Sequence, residues 1–229
     1  MEAPLSKETG ISIQVSLSGY SFKVSGPDGD NRSDWLPAGR IFTTPEFQRR
    51  YSSVGISLFT PKVALVPEHF FSPDSARAAL SEVARLGETD YVESVPVPKY
   101  GAVLVFSNSI GESLSETIAK TVFDTSGNPA RILPELWFIL RDLQYCPDYN
   151  KILCSWHDGW LYMAIAQGSS LLLANVYEAV DFTTAEYFIF LAMKRLQLNP
   201  EVSSICFRTP LEYDQEMSLY RYFKSVEQF

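Results

Sequence analysis

Ile11-Ser12-Ile13-Gln14-Val15-Ser16-Leu17-Ser18-Gly19-Tyr20-Ser21-Phe22-Lys23-Val24 is the stretch on which the fold turns. Ile11, Ile13, Val15 and Leu17 alternate with Ser12, Gln14 and Ser16, so an extended chain here has one apolar and one polar face. Alternation of this kind marks a half-buried strand, because successive side chains point to opposite sides. Ser18-Gly19 supplies a turn, and Tyr20, Phe22 and Val24 alternate again. Residues 11–25 therefore read as a β-hairpin. The arrangement recurs much later. Residues 151–156 read as a strand, His157-Asp158-Gly159 as a turn and 160–166 as the returning strand. Asp-Gly is a strong hairpin signal, since a type I′ turn needs positive φ at both central residues. Residues 167–169 turn again, and 170–177 read as a third strand.

Working outward, helices and single strands follow each hairpin. Residues 26–34 are turn formers and read as a solvated loop. Thr44-Pro45 opens a short helix to Tyr51, with Pro at its first position. Residues 54–59 and 62–66 read as strands. Ser72-Pro73 caps a helix whose apolar face is Ala76, Ala79, Leu80, Val83 and Leu86, ended by Gly87. Strands follow at 91–97 and 102–106, the second an unbroken apolar run that predicts full burial. Ser113 with Glu116 forms a capping box for a helix to Phe123. A helix over 133–144 has Leu133, Leu136, Trp137, Leu140 and Leu143 on one face, with Pro134 in its first turn. After the second hairpin, Thr183 with Glu186 caps a helix to Leu196, 202–208 is a strand, and 211–229 has the pattern of an amphipathic helix. One architectural half is thus used twice: residues 1–147, with 1–9 a flexible tail, and a shorter half over 148–229.

Composition bounds what such a chain can do. Its 229 residues are 46% hydrophobic and 20% charged, enough for a real core and against global disorder. Aromatics make up 14%, which either fill that core or line a partner surface. Nineteen Lys and Arg against 27 Asp and Glu give a net charge of -8, which repels phosphate backbones. The densest basic stretch, Arg49-Arg50, lies near Glu46, so a nucleic-acid partner is not expected. Cys146, Cys154 and Cys206 are odd in number and lack CxxC spacing, so they read as buried reduced thiols and no metal site is expected. The longest apolar runs, 161–165 and 171–174, are far too short to span a bilayer. Residues 1–10 lack an apolar core followed by a cleavage site, so the cytoplasm is the expected location.

Two halves that each open with a hairpin resemble the actin-like ATPase superfamily, which includes sugar kinases, heat-shock chaperones, actin and pilus-assembly ATPases. The chain is also similar to an uncharacterised Bacteroidetes family, the domain-of-unknown-function family numbered thirty-eight twenty-two. The residues that carry this are 11–22, together with the 130–144 segment followed by 151–161. The resemblance implies an α/β, actin-like (ribonuclease H-like) fold of duplicated halves, each a β-hairpin meander followed by alternating helices and strands. It also implies that the first hairpin of each half stands where ATP phosphates are cradled in the superfamily.

At those places the superfamily has Asp, any residue, then Gly. The carboxylate orients metal and water, and the glycine admits backbone N–H groups to the phosphate. Here Gly19 is present, but Ser16 and Ser18 stand where the carboxylate is sought. Asp158-Gly159 survives at the second turn, beside the bulky Trp156 and His157. The Gly-Gly adenosine motif is replaced by Phe207-Arg208-Thr209-Pro210. Ser16, Ser18, Gly19, Asp158 and Gly159 are accordingly degenerate phosphate-loop equivalents, and no cofactor and no catalytic residue is expected.

Other candidates have plainer readings. His157 beside Asp158 could be an acid–base pair, but no nucleophile is placed with it, and a solvated turn histidine suffices. Asp28, Asp30, Asn31 and Asp34 lack the Gly and Glu positions of a calcium loop. Residues 107–115 could hold an anion at a helix start, but lack a Lys or Gly-rich run. Trp156 and Trp160 flank a turn and could stack across it, with Tyr162 beside them, or simply fill core. Leu219, Tyr220, Tyr222, Phe223, Val226 and Phe229 crowd the C-terminal segment. On a helix they would cover most of its circumference, so part of the group is expected to face a protein partner. The first functional reading is therefore a non-catalytic protein acting through protein partners. A divergent ATP-binding enzyme and a small-molecule sensor using the cleft between halves are the alternatives.

Overall fold

The computed structural model describes residues 9–27, 29–108 and 112–229, apart from the side chains of Glu112 and Ser113. In chain order the strands and helices are β1 Gly10–Ser16, β2 Gly19–Gly26, β3 Gly29–Arg32, β4 Arg50–Tyr51, β5 Ser53–Leu58, β6 Val63–Pro67, α1 Ala76–Ser81, β7 Val92–Val97, β8 Ala102–Ser107, α2 Glu112–Ala119, β9 Phe123–Asp124, β10 Ile132–Pro134, α3 Glu135–Asp142, β11 Asn150–His157, β12 Trp160–Gln167, β13 Ser170–Glu178, α4 Phe182–Arg195, β14 Ser204–Phe207, α5 Tyr213–Tyr220 and β15 Ser225–Gln228. The chain folds into two compact units: the described residues up to Thr60 with 108–134, and 61–107 with 135–229.

In the first unit the sheet runs β10-β5-β1-β2-β3. β1 pairs antiparallel with β2 from Gly10↔Ser25 to Ser16↔Gly19, and parallel with β5. The alternation read from the sequence buries Ile11, Ile13 and Val15 against Tyr20, Phe47, Ile56, Leu58 and Ile118. The second unit contains a sheet of the same design, β13-β12-β11-β14-β15, with antiparallel β11-β12-β13 and parallel β14 and β15. Two five-stranded sheets of one order and one pattern of directions are the duplicated architecture. Residues 61–107 add a three-stranded antiparallel sheet, β6-β8-β7, with α1 on it.

Both hairpins match their reading, and so does the unbroken burial of β8. Asp158 and Gly159 have φ of 48° and 78°, the two positive values of a type I′ turn. Elsewhere the structure corrects local readings. The loop at 26–34 contains β3, a short strand completing the meander. The helix read over 44–51 is a 3-10 turn, Pro45–Gln48, followed by β4. The helix after Ser72 is an α-helix only over Ala76–Ser81. Residues 133 and 134 belong to β10, with Leu133 opposite Ser57, because the parallel edge of β5 takes them before the helix starts at Glu135. α2 stops at Ala119, and the Ser113 side chain of its expected capping box lies outside the described residues. The N-cap of α4 is Asp181, whose carboxylate accepts from Thr184 N at 2.7 Å, so Thr183 is already helical. The 211–229 segment is not one helix: α5 ends at Tyr220, and β15 pairs in parallel with β14. Residues 1–8 of the expected tail lie outside the described residues.

Candidate functional site

At the turn between β1 and β2, Ser16 and Ser18 hydroxyls bond each other at 2.8 Å, and Ser18 N donates to Ser16 Oγ at 3.2 Å. Leu17 between them is 76% exposed. Gly19 has φ of 145°, and a β-carbon added there would stand 2.1 Å from the Leu36 carbonyl oxygen. That carbonyl accepts from Tyr20 N at 2.9 Å, and Leu36 N donates back to Tyr20 O at 2.7 Å. The glycine is therefore required by the crossing of the 36–37 backbone, a reason independent of any phosphate.

At the second turn, Gly159 has more room, its nearest neighbour to an added β-carbon being Val180 Cα at 3.7 Å. Ala179 N donates to Gly159 O at 2.7 Å, and the Trp156 indole N–H donates to Ala179 O at 2.9 Å, so the turn is strapped to residues 179–180. The register sets Trp156 opposite Leu161 and Trp160 opposite His157. The two indoles therefore lie on opposite faces and do not stack across the turn. Trp156 packs edge-to-face on Phe182 at 5.5 Å, while Tyr162 is fully buried on the other face. His157 Nε2 lies 3.4 Å from Asp158 Oδ1. Burial holds the His157 pKa below its ordinary value, against the opposing pull of Asp158 and Glu135.

A buried ionic cluster lies on the same face of this sheet, where sequence reading saw only the loss of a glycine pair. Arg208 Nε donates to Glu135 Oε1 at 2.8 Å and Nη1 to Asp142 Oδ2. Glu135 also accepts from Ser155 Oγ at 2.6 Å, and Arg141 forks onto Asp142 at 2.6 and 2.8 Å. The Arg208 guanidinium stands 5.4 Å from the Phe138 ring centre. The two Arg208 pairs are buried and lock α3 to the end of β14, while Arg141 is half-exposed.

The remaining candidates fall apart as sites. Asp30 pairs with Lys23 at 2.9 Å within the β2–β3 hairpin, and Asp28 lies outside the described residues. Among the described residues no three His, Cys, Asp or Glu side chains are grouped to hold a metal. Ser107 donates to Asp90 at 3.0 Å, and residues 109–111 of the expected anion site lie outside the described residues. All three cysteines are free and buried. A hydrogen bond with Cys206, then burial, raises the Cys146 thiol pKa, which makes it inert. Of the six C-terminal candidates, Leu219, Phe223 and Val226 are core, Phe229 is partly buried, and Tyr220 and Tyr222 are exposed. Among the described residues no helix is long and apolar enough to cross a membrane.

Comparison with known proteins agrees with this architecture. The family model "Protein of unknown function (DUF3822)" matches residues 37–226, and the chain belongs to that family. A Bacteroides thetaiotaomicron protein with actin-like ATPase fold and unknown function superposes with a TM-score of 0.66 at 17% identity, covering 98% of this chain and 91% of that one. The PilM–PilN type IV pilus biogenesis complex superposes with a TM-score of 0.55 at 14% identity, covering 96% and 88%. At these identities the likeness shows the fold, which is that of the actin-like ATPases. No curated protein matches the chain.

Proposed function

We propose that this chain is an actin-like protein that works by binding another protein and does not turn over a nucleotide. The observation that carries the reading is the first hairpin turn. The superfamily uses this glycine to admit phosphate; here the Leu36 carbonyl lies against it, and a carbonyl oxygen repels an anion. Ser16 and Ser18, bonded to each other, stand where a metal-orienting carboxylate would be. In this reading Ser16, Ser18, Gly19, Asp158 and Gly159 are remnants of a phosphate cradle, and the duplicated halves run 1–147 and 148–229. PilM, of similar fold, is found in a complex with PilN, which lends support by analogy alone. The net charge of -8 favours a protein over a nucleic acid as partner. Free buried thiols fit a cytoplasmic location.

The test has two arms on the full chain. Calorimetric titration with ATP and magnesium is expected to show no binding at micromolar concentrations. Quantitative cross-linking in the native cells is expected to give one protein at fixed stoichiometry. Micromolar ATP affinity would overturn the reading in favour of a divergent ATP-binding enzyme.

A further inference from the structure

The edges of the three larger sheets are unequally guarded. In the first unit they are β10, three residues ending in Pro134, and β3, four residues including Asp30 and Arg32. In the three-stranded sheet they are β6, ending in Pro67, and β7, carrying Glu93 and Pro96. Shortness, charge and proline are the usual protection against pairing with another chain. In the second five-stranded sheet β15 is short, but β13 runs nine residues, Ser-Leu-Leu-Leu-Ala-Asn-Val-Tyr-Glu, with its only charge at the end. A register shift near Leu172 is its one irregularity.

Which backbone groups of β13 face outward follows from the registers. The two-residue turn at 158–159 makes His157↔Trp160 a pair that exchanges both bonds. Alternation then aims the amides of Leu161, Met163 and Ile165 at β13, where Tyr177, Asn175 and Leu173 oppose them. The bond from Ala179 N to Gly159 O lies in the same phase. The N–H and C=O groups of Ala174 and Val176 therefore point away from the sheet. β6 approaches β13 but bonds to β8, and among the described residues β13 has one ladder, to β12.

Beside this edge is an apolar cavity of about 170 Å³ between β13 and α4, lined by Leu173, Tyr177, Phe188, Leu191 and Arg195 among others. The Tyr177 and Phe188 rings in its wall stack at 4.7 Å. A cavity of about 150 Å³ holds a benzene-sized group, so this one suits a single leucine, methionine or phenylalanine side chain. Arg195 is seven residues beyond Phe188, about 10 Å along the helix. It is exposed, and among the described residues neither it nor Lys194 is ion-paired. Cations at a helix C-terminus are ordinary. An apolar slot lined in part by an unpaired guanidinium, beside a strand that is laddered on one side, is the geometry of strand addition.

We propose that β13 is completed by an extended segment of a partner protein. That segment bonds Ala174 and Val176, seats one large apolar side chain in the cavity and sets a carboxylate against Arg195. The proposal rests on the partner-binding reading above and names its surface and the chemistry of its partner.

A random peptide phage library panned on the full chain provides the probe, and selected peptides are synthesised and measured by fluorescence anisotropy. The expected peptides combine one large apolar residue with an Asp or Glu a few positions away. Their affinity falls at least tenfold when alternate backbone amides of the peptide are N-methylated, a change that cannot unfold the protein. Arg195→Glu weakens them similarly, and replacing the peptide acid by Lys restores binding to that variant. Val176→Pro removes an outward N–H and abolishes binding. Peptides indifferent to N-methylation and to Arg195→Glu would overturn this site while leaving the partner reading intact. Failure to select any peptide, or self-association of the chain abolished by Val176→Pro, would overturn it as well, the latter assigning the edge to a second copy.

Discussion

Arg208 Nε donates to Glu135 Oε1 at 2.8 Å with the two side chains 8% and 0% exposed. Two carboxylates, Glu135 and Asp142, share this guanidinium. Removing the cation leaves Glu135 buried without this counter-charge, while Asp142 keeps its pair with Arg141. Arg208→Met is expected to cost about 3–5 kcal/mol in urea unfolding. Replacing Arg208, Glu135 and Asp142 together by apolar residues is expected to recover most of that loss, because desolvation of all three charges is then avoided. A triple variant no more stable than Arg208→Met would show that the cluster contributes net attraction.

The Gly19 and Gly159 turns separate backbone need from ligand need. Gly19→Ala sets a β-carbon 2.1 Å from a backbone oxygen at φ of 145°, and is expected to destabilise by about 2–3 kcal/mol or more. Gly159→Ala meets only an ordinary contact at 3.7 Å and bears the cost of positive φ alone, about 1 kcal/mol. Denaturant midpoints of the two variants decide it. Equal effects would mean that the Leu36 crossing does not dictate Gly19.

His157 gives a pH dependence of definite sign. Burial lowers its folded-state pKa below the unfolded value near 6.5. Between those two values the unfolded chain binds the proton and the folded one does not, so stability is lost as pH falls through that window. The urea midpoint of the native chain should drop as pH falls below about 6.5, and His157→Asn should flatten that part of the profile. An NMR titration placing His157 above 6.5 would reverse the expected slope.

What the sequence made legible was what short-range chemistry dictates. The hairpin at 11–25 follows from side-chain alternation, and the one at 151–166 from Asp158-Gly159, whose φ values only a few residues tolerate. β3 was hidden because Gly29, Asp30 and Asn31 are turn formers that became a strand only by pairing with β2. β10 was hidden because Leu133 continues the apolar spacing of α3, while a partner 76 residues earlier, Ser57, takes it into a sheet. The ionic cluster was out of reach for the same reason: Arg208 lies 73 and 66 residues from the carboxylates it binds. Loss of a glycine pair is visible at Phe207-Arg208-Thr209-Pro210, but what replaces it is set by contacts distant in the chain.

The C-terminal segment separates core from surface most sharply. Leu219, Phe223 and Val226 are spaced by four and three, as on one helix face, yet Val226 reaches the core from β15. A strand buries alternate residues, so Val226 points inward while Glu227 stays exposed. Phe223 is 4% exposed and stacks on Phe190 at 5.7 Å, whereas its neighbour Tyr222 is 52% exposed and touches Phe190 edge-on at 4.9 Å. Phe223→Ala should therefore cost about 3–5 kcal/mol, the transfer loss plus the cavity left behind. Tyr222→Ser should stay within about 1 kcal/mol, since it gives up one ring contact and little buried area. Thermal and urea unfolding of the two variants test the division. If Tyr222→Ser destabilised as much as Phe223→Ala, the exposed ring would belong to the core and would drop out as a candidate partner contact; if it left stability alone and reduced cross-linking to the partner, the C-terminal surface would join the β13 edge in binding.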